Sequence, residues 1–127
     1  QTDHEYVAMR DRGLPMVRSL IEGLITSQNL DAIVYPTSPT RPAPVVGGGG
    51  GGLGIPSATN LANLSGFPDL IVPAGYTSDR LPVGISFFGT AFSEAKLLGL
   101  GYAFEQRTKV RRDPVTTPLL DGDVIGR

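Results

Sequence analysis

From Ser57 to Thr77 the chain reads SATNLANLSGFPDLIVPAGYT, and this stretch limits the fold more than any other. A short helical segment over Thr59–Leu64 runs into a tight Ser65-Gly66 turn and then a strand from Asp69. The Thr59 hydroxyl is suited to capping the segment, and Gly66 supplies the left-handed or close-approach position behind it. Pro68 pushes Phe67 towards extended geometry. Leu70-Ile71-Val72 is apolar at every position, as in a strand covered on both faces. Pro73-Ala74-Gly75 then marks the expected exit from the sheet, at residue 73. A backbone bend thus sits beside a buried strand, where sites in sheet proteins gather.

The flanking sequence supplies further elements. Val17, Leu20, Ile21, Leu24 and Ile25 repeat at i, i+3, i+4, i+7 and i+8, which predicts a helix over 15–29 with Asn29 as its C-cap. Gly13 and Pro15 predict a separate turn or helix before it. Ala32 to Tyr35 reads as a short buried strand (31–35), closed by Pro36 and a proline-rich extended loop. Six glycines follow at Gly47–Gly52, and the loop 47–54 is read as a flexible excursion, because ordering such a run costs much entropy. Val83, Ile85 and Phe87 alternate with Gly84 and Ser86, which predicts a strand over 82–88 with one apolar and one small face. The short turn between 75 and 80 makes this strand an antiparallel neighbour of the one before. A helix over 94–108, capped by Ser93 and apolar around much of its circumference, is expected to be heavily buried.

Several function classes lose their basis here. The 127 residues carry a formal net charge of −1, so no electrostatic footprint points to nucleic acid or to an anionic membrane. No apolar run approaches a membrane span, and a soluble chain is the expectation, of a compartment the sequence does not fix, with the cytoplasm slightly favoured. Without cysteine there is no disulfide scaffold and no thiolate metal site. The glycine run lacks the G-K-[ST] and helix start of a phosphate loop. Ser93-Glu94-Ala95-Lys96 has S-x-x-K spacing, yet its companion elements are missing, so Ser93 is read as a helix cap and Lys96 as a solvated charge. His4 is the one histidine and has no obvious triad partner. Asp31 and Asp69 precede strands and are read as turn or capping groups. No metal site and no cofactor is expected.

Three ordered motifs resemble the amidase signature family. They are D-x-x-x-x-P-T-x-P (Asp31, Pro36, Thr37, Pro39), T-x-x-A-N-L-x-G-x-P-x-x-x-V-P-A-G from Thr59 to Gly75, and L-P-V-G-I-x-F-x-G from Leu81 to Gly89. The resemblance covers about Ser19 to Pro114. It implies an α/β fold, a layered mixed sheet with helices on its faces, of which residues 1–127 form one C-terminal segment. It implies amide hydrolysis by a Ser–Ser–Lys machinery that lies upstream of anything in this chain, so the segment alone is expected to be inactive. It implies that Thr59, and with it Ala62, Asn63 and Thr37, face the substrate. The residues themselves leave Thr59 as a helix cap and Asn63 as a turn tie. The implied partners are a small-molecule amide and the N-terminal catalytic part of the same enzyme. Glutamine amidotransferase members carry an acidic residue three positions before the threonine, where this chain has Pro56. A non-catalytic α/β binding or interaction module is the reading from a different class. Three strands leave open edges and uncovered apolar area, so the isolated chain is expected to be unstable or oligomeric.

Overall fold

In the computed structural model, which describes residues 2–38 and 60–113, two helical layers enclose a small sheet. Helix α1 spans Asp3–Ala8 and α2 Leu14–Ser27, with a π-helical turn at Met9–Gly13 between them. The expected break before Pro15 is therefore not an interruption. Proline has no N–H to give the preceding turn, and widening that turn to the π form carries the helix through. At its other end α2 closes in a Schellman arrangement. Asn29 adopts a left-handed φ of 51°, its N–H donates to the Thr26 carbonyl, and Leu30 N–H reaches the Ile25 carbonyl at 2.9 Å.

Strands β1 (Ile33–Pro36), β2 (Asp69–Tyr76) and β3 (Pro82–Phe88) form a sheet in the order β1-β3-β2. Both pairings are antiparallel, so the described sheet is wholly antiparallel where a mixed one was expected. The short turn joining β2 to β3 permits only that direction, so the difference from the expected mixed sheet lies in β1, which pairs antiparallel with β3 from far away in the sequence. β2 also corrects the expected exit at residue 73. A register shift between Pro73 and Gly75 lets the strand continue to Tyr76, with Gly75 at a φ of 145°. The missing N–H of Pro73 is tolerated because β2 lies at the sheet edge.

Alternation along the strands separates two cores. On one face Val72 and Phe87 pack against Leu97 of α4 (Glu94–Thr108), with Leu70, Ile85, Leu100 and Phe104 around them. Phe87 and Phe104 meet edge to face at 5.9 Å. On the other face Phe88 packs against Ile21 and Ile25 of α2 and against Phe67, with Ile33, Tyr35 and Ala62 alongside. Burying each such large side chain contributes about 1.5–3 kcal/mol. Helix α4 keeps its expected bounds but not its expected burial. Leu97 and Gly101 are buried, whereas Leu98 and Tyr102 are exposed, because three strands cover only one side of it. Ser93 does not cap the helix either. Its hydroxyl donates to the Thr90 carbonyl at 2.7 Å.

Candidate functional site

The face of the sheet shared with α2 carries a polar strip. Register places Tyr35 opposite Ser86 and Ser86 opposite Ile71, while Asp69 and Ile33 flank Phe88. Tyr35, Ser86, Phe88 and Asp69 therefore project to one side. The Tyr35 hydroxyl donates to Asp69 Oδ2 at 2.7 Å. One step further on, the Thr37 and Ser86 hydroxyls share a hydrogen bond of 2.9 Å. Thr37 is held there by its N–H, which donates to the Gly84 carbonyl at 3.0 Å and extends the pairing beyond β1. Glycine at 84 makes this approach feasible. A Cβ there would stand 3.0 Å from Thr37 Oγ1 and 3.1 Å from Ile71 Cγ2.

Burial governs the electrostatics of the strip. Ser86 is fully buried, and Asp69 Oδ1 is buried without a hydrogen bond among the described residues. Burial, and then the neighbouring Asp69 carboxylate, push the Tyr35 hydroxyl well above the ordinary phenol range, against a smaller opposing pull from Ser86. Tyr35 therefore stays a neutral donor, and the strip is a wall of hydroxyls and one carboxylate. The fully buried serine meets a threonine hydroxyl, which is no general base.

The S-x-x-K pair is likewise committed elsewhere. Lys96 Nζ lies 2.8 Å from Asp31 Oδ1 at the surface, which holds the Asp31 carboxyl below the usual range. Ser93 is bonded to Thr90. Asp31 and Asp69 are thus side-chain partners of Lys96 and Tyr35 rather than turn groups.

Of the residues expected to face substrate, Thr37 lies in the strip. Thr59, the polyglycine loop 47–54 and the proline-rich run from Pro39 fall outside the described residues. Helix α3 (Asn60–Ser65) holds the other two. Ala62 packs against the Ile21–Phe88 cluster, on the same sheet face as the strip, and Asn63 is exposed. Arg18 Nε fixes α3 by donating to the Ser65 carbonyl at 2.6 Å, and Gly66 at a φ of 70° turns the chain into β2. Sequence reasoning missed Tyr35, Asp69 and Ser86 as a connected group. The available signal was the i, i+2 spacing of Tyr35 and Thr37, which puts both on one strand face. A shallow cleft elsewhere, between Pro73 and residues 105–111 at the end of α4, includes none of these residues.

Known proteins share this architecture. The family model described as Amidase matches residues 1–98. A probable amidase of Arabidopsis thaliana is 41% identical over 97 residues, which are 76% of this chain and 15% of that protein. The indoleacetamide hydrolase of Agrobacterium vitis is 31% identical over 120 residues, 87% of this chain and 26% of that one. Among solved structures, PAM12A superposes with a TM-score of 0.70 at 35% identity, covering 87% of this chain and 22% of its own. The native peptide amidase of Stenotrophomonas maltophilia gives a TM-score of 0.61 at 34% identity, covering 80% and 20%. The chain thus spans between about a seventh and a quarter of these proteins.

Proposed function

We propose, from the premise that this chain belongs to the amidase family, that it is the C-terminal part of a longer hydrolase of carboxylic amide bonds. In this reading a serine outside these residues attacks the amide carbonyl, and backbone N–H groups hold the oxyanion. The present segment supplies scaffold and one wall of the substrate cavity. The carrying observation is the match over residues 1–98, made by a chain in which the partners of the buried Ser86 hydroxyl among the described residues are the hydroxyls of Thr37 and Tyr35. Such a chain has family architecture and no activated nucleophile in the strip.

Thr59, Asn63 and Thr37 are the substrate contacts of this proposal. Ala62 joins them through its place on α3, although its methyl group packs inward. Pro56, where the amidotransferase pattern has an acidic residue, favours an amidase substrate over a glutamine-derived one. The test is steady-state kinetics of the longer enzyme on a small amide. Thr37→Val and Asn63→Ala are expected to raise KM by about three- to tenfold, one hydrogen bond each, with kcat retained. An unchanged KM in both variants would remove the cavity-wall role.

A further inference from the structure

We infer that the hydrogen-bond chain Asp69–Tyr35–Ser86–Thr37 holds the Thr37 hydroxyl as an acceptor towards the substrate, and so selects amides that carry an N–H. The inference deepens the cavity-wall role proposed for Thr37 and rests on it. It gives that residue a direction of hydrogen bonding, and makes Tyr35 and Ser86 the positioning residues that set it.

The direction follows from counting protons along the chain. A carboxylate accepts only, and Asp69 Oδ2 takes the Tyr35 proton at 2.7 Å. Tyr35 has no second proton, so towards Ser86, its partner across the ladder, its oxygen can only accept. Ser86 is fully buried, and its hydroxyl is bonded to both Tyr35 and Thr37. Its single proton therefore goes to Tyr35. The pull of Ser86 on the Tyr35 hydroxyl, opposite to that of Asp69, is the pull of a donor. The Ser86 oxygen is left to accept, and the 2.9 Å bond is donated by Thr37.

Thr37 is where this chain meets the surface. It is half-buried, whereas Ser86 behind it is sealed, and its N–H is tied to the Gly84 carbonyl at 3.0 Å. With its proton spent inwards, the Thr37 oxygen has only lone pairs to offer on its open side. A freely rotating hydroxyl would serve donors and acceptors alike; this one serves donors. The nitrogen of a primary or secondary amide is such a donor. An ester oxygen and a tertiary amide nitrogen have no proton to give.

The test is steady-state kinetics of the longer enzyme on para-nitroacetanilide and para-nitrophenyl acetate, corrected for hydrolysis in buffer. The two probes share an acyl group and a shape, and differ by N–H against oxygen. The readout is the anilide-to-ester ratio of kcat/KM. Thr37→Val, which keeps size and removes the acceptor, should lower this ratio by about three- to tenfold, the value of one hydrogen bond. Thr37→Ser should restore it. Tyr35→Phe, assayed well below its unfolding temperature, should also lower the ratio, because Ser86 then donates to Thr37 and turns the Thr37 proton outwards. A ratio unchanged or raised in Thr37→Val would overturn the inference, as would a wild-type ratio in Tyr35→Phe. An equal loss on both probes in Thr37→Val contradicts this inference alone and keeps Thr37 in the cavity wall. Absence of anilide hydrolysis by the unsubstituted enzyme would contradict the proposed function, and the inference would fall with it.

Discussion

The Tyr35 hydroxyl donates to Asp69 Oδ2 at 2.7 Å, across β3, and so joins the two outer strands that share no ladder. Asp69 Oδ1 is buried without a hydrogen bond among the described residues, which leaves the carboxylate dependent on this donor. Tyr35→Phe should therefore cost about 1–3 kcal/mol, the penalty for stranding a buried acceptor. Replacing both groups, as Tyr35→Phe with Asp69→Val, should recover most of that loss. Urea midpoints of the wild type and the two variants decide it. A double variant less stable than Tyr35→Phe would contradict the account.

The same pair sets an alkaline limit. Burial first, and the Asp69 carboxylate second, raise the Tyr35 hydroxyl above its ordinary value of 10.0. The folded state therefore holds this proton more tightly than the unfolded state. Its contribution is complete below the unfolded value and is lost progressively as pH rises above about 10. Thermal unfolding between about pH 9 and 12 should show a decline that is shallower in Tyr35→Phe. Parallel curves would remove Tyr35 as the cause.

Two glycines of α4 make a matched test of how closely the helix sits on the sheet. A Cβ at Gly101 would stand 2.5 Å from Leu70 Cδ2 and 3.3 Å from Val72 Cγ1, whereas at Gly99 it meets nothing within 4 Å. Gly99→Ala should stabilise by about 0.5–1 kcal/mol through helix propensity. Propensity cancels between the two sites, so Gly101→Ala should fall below Gly99→Ala by about 1–3 kcal/mol, the cost of overpacking. Equal midpoints would mean that α4 is loosely docked.

Phe92, in the turn from β3 to α4, has a left-handed φ of 61° and is 94% exposed. A bulky residue there bears backbone strain with no packing to offset it. Phe92→Gly should stabilise the 127-residue chain by about 1 kcal/mol. In the longer enzyme the same change should lose that gain if the ring is packed there. Calorimetry of both forms reads the sign.

Local chemistry was legible in the sequence and long-range geometry was not. The bounds of β3 and α4 follow from alternation at Val83, Ile85 and Phe87 and from a turn before Glu94, both local signals. Pro73 misled because its effect depends on strand order. It ends a central strand, but at the edge of β1-β3-β2 its missing N–H faces no partner. Ser93 resembled a cap by type, while its φ and ψ of −93° and 12° aim the hydroxyl backwards at Thr90. The exposed Leu98 and Tyr102 show the limit of reading burial from composition, because apolar side chains are covered only where a partner exists. Of the strip, Thr37 alone was singled out in the sequence, and as a substrate contact rather than as the partner of Ser86. Its bond to Ser86, and that of Tyr35 to Asp69, depend on the register of strands distant in sequence.

The most direct test is turnover of a small amide by these 127 residues alone, beside the longer enzyme under identical conditions. The account predicts hydrolysis by the longer enzyme and a rate for the 127-residue chain equal to buffer. Hydrolysis above buffer by the short chain would place a working nucleophile within these 127 residues, and would contradict the assignment of the chemistry to residues outside them.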